Sequence, residues 1–139
     1  MFLLDTNIVS ELRKAKSGKA DLRVLSWAAS QPTHGLFIST ITILEIEIGI
    51  QLVERRDTTQ GKLLRSWLEQ QVLPAFRQRI LSVDLLVARH CAKLHVPNPK
   101  PDRDALIAAT ALAHNLTLVT RNTKDFQSTG AKLLNPWTA

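Results

Sequence analysis

Apolar residues along this chain fall in short continuous runs, separated by longer segments whose apolar positions recur at helical spacing. Phe2-Leu3-Leu4 is the first run, and it stops at Asp5. The polar step Asp5-Thr6-Asn7 leads into Ile8-Val9-Ser10-Glu11-Leu12, which reads as a helix, so the chain opens with a strand and a helix. Lys14 to Ala20, broken by Ser17-Gly18, reads as a basic loop, and Leu22, Leu25, Trp27 and Ala28 resume a helical pattern. Gly35 opens Leu36-Phe37-Ile38, a second buried strand. Ser39-Thr40 then begins a helix to Val53 whose isoleucines fall on nearly every side, as expected for a helix packed within the molecule. Leu63, Leu64, Trp67, Leu68, Val72 and Leu73 form a heptad-like stripe that Pro74 should kink or end. Ile80-Leu81-Ser82-Val83 is a third strand, Leu85 to Leu94 a helix, and Pro97-Asn98-Pro99-Lys100-Pro101 a rigid loop. Asp104-Ala105-Leu106-Ile107-Ala108-Ala109-Thr110-Ala111 opens the last long helix. Asn115 suits its end, Leu116 to Thr120 reads as a fourth strand and Ala131 to Leu134 as a fifth. Strands alternating with helices imply a mostly parallel sheet of about five strands, covered on both faces in a three-layer α/β/α arrangement. In such sheets the working site lies beyond the carboxyl ends of the strands.

Composition narrows this picture only a little. The 139 residues suit a single domain spanning 1–139, and 45% hydrophobic with 22% charged residues excludes disorder and fibrous repeats. No stretch is long and apolar enough to span a membrane, and the start lacks a basic, cleavable leader, so a cytoplasmic protein is expected. The single cysteine, Cys91, sits in an apolar helical pattern and reads as a small core residue. His34, His90, His95 and His114 lack the spacing of zinc ligands. A net charge of +6 favours an acidic partner, nucleic acid or an acidic protein segment, without choosing between them.

The carboxylates carry the chemistry. Asp5 stands at the end of the first strand with Asn7 beside it, Glu45 lies in the helix after the second strand, and Asp104 opens the helix leading to the fourth. Arg121-Asn122 follows that fourth strand directly. These segments aim three carboxylates and an amide at one sheet edge, where like charges repel unless a cation neutralises them. An all-oxygen donor set selects Mg²⁺ or Mn²⁺ over Zn²⁺. Such an ion lowers the pKa of bound water and stabilises charge on a phosphoryl oxygen, so no catalytic Ser, His or Lys is needed. Competing readings remain beside these. Asp5 could cap the first helix; Glu47 falls on the face opposite Glu45; Asp102 could cap the helix if it starts a turn earlier; Asp125 could complete the site in place of Asn122. Thr6, Ser39 and Thr120 suit either support of the carboxylates or ordinary turns. Trp27 and Trp67 suit core or dimer contacts, and the cations Arg13, Lys14, Lys16, Lys19 and Arg23 suit a solvated surface or a partner contact.

Leu4-Asp5-Thr6-Asn7-Ile8, Glu45 with Gly49, Asp104-x-Leu-Ile-Ala-Ala-Thr-Ala, and Val119-Thr120-Arg121-Asn122 with Asp125-Phe126 together resemble PIN-domain toxins of the VapC type. The closing Asn135-Pro136-Trp137 is similar to the FitB branch. The resemblance implies a Mg²⁺-dependent endoribonuclease, a homodimer, and inhibition by a small DNA-binding antitoxin whose tail fills the active-site groove; such pairs can assemble on operator DNA. It departs at Asn122, where many relatives carry aspartate, which leaves one charge fewer for the metal. Two other functions compete: an aspartyl phosphohydrolase with Asp5 as nucleophile, which usually carries Asp-x-Asp where this chain has Asn7, and a non-catalytic binding module.

Overall fold

The computed structural model describes all residues from Met1 to Ala139. Its sheet consists of β1 (Phe2–Leu4), β2 (Leu36–Ser39), β3 (Ile80–Leu81), β4 (Thr117–Val119) and β5 (Leu133–Leu134). The spatial order is β3-β2-β1-β4-β5, with every pairing parallel. The strands are shorter than their apolar runs, because Ser82-Val83, Leu116, Thr120 and Ala131-Lys132 lie beyond the paired registers.

The helices are α1 (Thr6–Arg13), α2 (Leu22–Ala29), α3 (Thr40–Arg56), α4 (Thr58–Trp67), α5 (Leu73–Ala75), α6 (Leu85–Leu94), α7 (Asp102–Ala113) and α8 (Thr123–Phe126). Side chains at their starts satisfy N–H groups that have no partner within the helix. Asp21 accepts from Arg23 and Val24, Ser39 from Ile41, Asp57 from Gln60, and Asp84 from Val87. Asn115 ends its helix in a left-handed conformation at φ 54°.

Alternation along β1 builds the layers. Leu4 faces one side with Ile38, Val119, Ile8, Val24, Ile46 and Leu68, while Leu3 faces the other with Leu118, Ile107, Ala108 and Phe126. Cys91 is buried with Val87, Ala105 and Ala109 between α6 and α7. Helices thus cover both faces, giving the expected three layers.

One helix boundary keeps to the sequence reading and one departs from it. Pro74 ends its helix: a five-residue π-helical segment, Leu68–Val72, widens the backbone before it, and α5 takes in the proline and stops one residue later at Ala75. The helix bearing Asp104 starts two residues earlier than its apolar pattern, at Asp102, with Pro101 rather than an acidic side chain at the boundary. Ala105 N–H closes the first turn on the Pro101 carbonyl at 2.9 Å, and Asp102 and Asp104 both sit in that turn, where the helix dipole favours negative charge.

Candidate active site

The order β3-β2-β1-β4-β5 places the topological switch beside β1, whose two neighbours, β2 and β4, lead the chain to opposite sides of the sheet. Asp5 is the first residue beyond β1. Its N–H donates to the Val119 carbonyl at 2.9 Å, so its side chain emerges between the carboxyl ends of β1 and β4. Thr120 Oγ1 donates to Asp5 Oδ2 at 2.7 Å, and Thr6 N–H donates to Oδ1 at 2.8 Å. Burial nevertheless pushes the Asp5 carboxyl above the usual carboxylate range, with Glu45 and Asp104 pushing the same way. Asp5 therefore both caps α1 and stands in the site.

Thr120 is fully committed. It gives its one proton to Asp5 and accepts from Asn122 N–H at 3.0 Å and from Asn7 Nδ2 at 3.4 Å. Thr6 plays the matching part toward α3. Its Oγ1 donates to Glu45 Oε1 at 2.6 Å and stands 3.2 Å from the buried Thr42 hydroxyl. Glu45 Oε2 lies 3.8 Å from Arg103 Nε. Asp104 reaches the same cleft from α7, and burial, then Asp125, then Glu45 push its carboxyl up while Arg103 opposes them.

Asp5, Glu45, Asp104 and Asn122 line one open cleft of about 460 Å³. The alternatives point elsewhere. Glu47 pairs with Arg65 of α4 at 2.7 Å, and Asp102 is 91% exposed at 3.7 Å from His95 Nε2. Asp125 is exposed on α8 and lies outside the cleft lining, although its charge reaches Asp104. Ser39 caps α3 and takes no part.

The PIN domain family pattern matches residues 2–132. This chain is a PIN-domain protein. It is 37% identical to the VapC ribonuclease Y4jK of Sinorhizobium fredii, over 99% of this chain and 98% of the relative. Identity to toxin FitB of Neisseria gonorrhoeae is 36%, over 99% of both chains. The crystal structure of FitAcB from the same bacterium superposes with a TM-score of 0.90 at 33% identity, covering 100% of each chain. A toxin–antitoxin complex from Klebsiella pneumoniae gives 0.69 at 26% identity, covering 98% of each.

Several residues of the PIN-domain cleft escaped the sequence reading. Ser10, Glu11, Arg121 and Trp137 also line it, beside Lys14, one of the cations whose pattern left a partner contact open. Glu11 is buried, and Asp21 N–H at 2.8 Å and Lys14 Nζ at 3.2 Å hold its carboxyl below the usual range. Helical spacing contained a signal for this face, since Thr6, Ser10 and Lys14 recur at i, i+4 and i+8, with Asn7 and Glu11 alongside. Thr42 likewise precedes Glu45 by three residues on the same face.

The donor set suits a hard divalent cation. Every candidate ligand atom is oxygen, and the Asp5 and Asp104 carboxyls are raised partly by neighbouring negative charge that a cation would relieve. No three His, Cys, Asp or Glu side chains converge closely enough to clasp one ion directly.

Proposed function

We infer that this PIN-domain protein is a Mg²⁺- or Mn²⁺-dependent endoribonuclease, the toxin of a type II toxin–antitoxin pair, acting in the cytoplasm. The observation that carries the reading is the convergence of Asp5, Glu45, Asp104 and Asn122 on one open cleft at the switch point. The names VapC ribonuclease and toxin FitB, borne by relatives matched over nearly their whole lengths, support it. Residues 1–139 act as one domain.

Asp5, Glu45, Asp104 and Asn122 would hold the ion, with Asp125 adding charge from the second rank. When bound, the ion supplies a water of lowered pKa and charge stabilisation at the phosphoryl group. The chain's own part is orientation. Thr120 fixes Asp5, Thr6 fixes Glu45, and both hydroxyls sit on backbone set by strand ends or a helix start. A covalent aspartyl mechanism fits less well, because Asn7 stands where a second acid would serve.

The partners are an RNA substrate and a small DNA-binding antitoxin, in keeping with the toxin–antitoxin complex among the structural matches. Leu44, Ile48 and Leu52 make an exposed apolar stripe along α3 that suits a homodimer contact. No helix is long and apolar enough to cross a membrane. The test is cleavage of labelled RNA by antitoxin-free protein. Cleavage in Mg²⁺ or Mn²⁺ that stops in EDTA is expected, together with growth arrest on expression that Asp5→Asn relieves. Undiminished cleavage in excess chelator would refute the metal mechanism, and equal toxicity of Asp5→Asn would point to a binding module.

A further inference from the structure

Two cations line the acidic cleft, Lys14 and Arg121, and they are held in opposite ways. Lys14 is paired with Glu11 at 3.2 Å. Arg121 takes part in none of the protein's ion pairs, although the cleft it lines contains Asp5, Glu11, Glu45 and Asp104. Its guanidinium lies instead over the Trp137 ring, 5.1 Å from the centroid. Trp137 is 6% exposed and packs into the core with Leu4, Leu36 and Val119, so the ring is a fixed platform.

The backbone around this pair is tied down as well. Asn135 Nδ2 donates to the Arg121 carbonyl at 3.3 Å, and Trp137 N–H donates to Asn135 Oδ1 at 2.9 Å. On the other side, Arg121 N–H donates to Asn7 Oδ1 at 3.4 Å. The Asn135-Pro136-Trp137 tail thus braces the loop after β4 and stacks its arginine without neutralising it. An exposed guanidinium at a cleft edge, pre-ordered yet unpaired, offers a planar fork for an anion at reduced entropic cost.

We propose that Arg121, positioned by Trp137 and Asn135, is a phosphate-binding subsite of the cleft, taking non-bridging oxygens of an RNA phosphate next to the one cleaved. This rests on the ribonuclease reading above. Arg121 contacts the strand; Trp137 and Asn135 are positioning residues that act through it.

The experiment measures kcat and KM for a labelled RNA at several salt concentrations, with direct binding of the same RNA in EDTA. Arg121→Ala is expected to raise KM about tenfold and to lower the salt slope of binding by about one, as loss of a single phosphate contact does. Trp137→Phe keeps an aromatic platform and stays near wild type. Asn135→Ala raises KM by a smaller factor with kcat unchanged, and adds nothing once Arg121 is alanine. Trp137→Ala risks the fold, so Asn135→Ala and Trp137→Phe carry the positioning argument. An Arg121→Ala protein with KM and salt slope within twofold of wild type overturns the subsite. So does an Asn135→Ala effect on kcat that persists in the Arg121→Ala background. If wild type cleaves no RNA in any divalent ion, the ribonuclease reading fails, while the salt slope of binding still decides the subsite.

Discussion

Replacing Thr6 by valine removes a hydroxyl and little else, since the two side chains match in shape and Thr6 lies in the first turn of α1. The hydroxyl donates to Glu45 Oε1 at 2.6 Å and faces Thr42, which is fully buried. A hydrogen bond to a charged acceptor contributes about 1.5–3 kcal/mol, and the 25% exposure of the Glu45 side chain lets water recover part of it. Stranding the Thr42 hydroxyl adds about 1 kcal/mol. The expected loss is therefore about 2–3 kcal/mol, or about 6–12 °C in Tm for a chain of this size. Glu45 also loses the contact that orients it, so the Mg²⁺ concentration for half-maximal cleavage should rise about 10- to 100-fold. The assay pairs thermal melts in EDTA with single-turnover cleavage across a Mg²⁺ titration. Thr6→Ser restores the hydroxyl and is expected to recover the metal requirement. A Thr6→Val protein with the wild-type requirement would refute the claim that Thr6 positions Glu45.

Asp5 and Asp104 hold protons more tightly folded than unfolded, chiefly through burial, so their ionised forms oppose folding at neutral pH. Metal-free stability is accordingly expected to rise as pH falls from neutral toward the ordinary carboxylate range, with the gain lost again on ionisation; a urea midpoint that falls over that window contradicts this. Asp5→Asn, Glu45→Gln and Asp104→Asn should each lower cleavage by orders of magnitude, with Asp5→Asn and Asp104→Asn at least as stable as wild type in EDTA. Asn122→Ala should raise the Mg²⁺ requirement more than Asp125→Ala, because only Asn122 lines the cleft; the reverse order would make Asp125 the fourth ligand. Gly61→Ala is expected to lower Tm despite alanine's better helix propensity, since its Cβ would meet Glu54 Cα at 2.8 Å; a rise would show that α3 and α4 separate easily.

Much of this protein is legible in its sequence because apolar periodicity is a local property. The runs Phe2-Leu3-Leu4 and Leu36-Phe37-Ile38 are buried on both faces, so they are continuous, and the helices between them show their own spacing. That alternation alone implies the layered parallel sheet and places Asp5 and Asn122 just past strand ends. What it leaves undecided depends on approach between distant segments. Thr6 and Thr120 look like ordinary turn residues until β1, β4 and α3 meet, when each hydroxyl takes a carboxylate 39 and 115 positions away. Asp102 and Asp104 share one helical turn, and only the packing of α7 turns Asp104 into the cleft and leaves Asp102 in solvent. Pro74 marks a helix end by its missing N–H, but only the structure shows the π-helical segment before it and the stop at Ala75 just after it. Arg121 is one basic residue among eighteen in the sequence. It becomes distinct only because the chain's last turn brings Trp137 beneath it while it enters no ion pair.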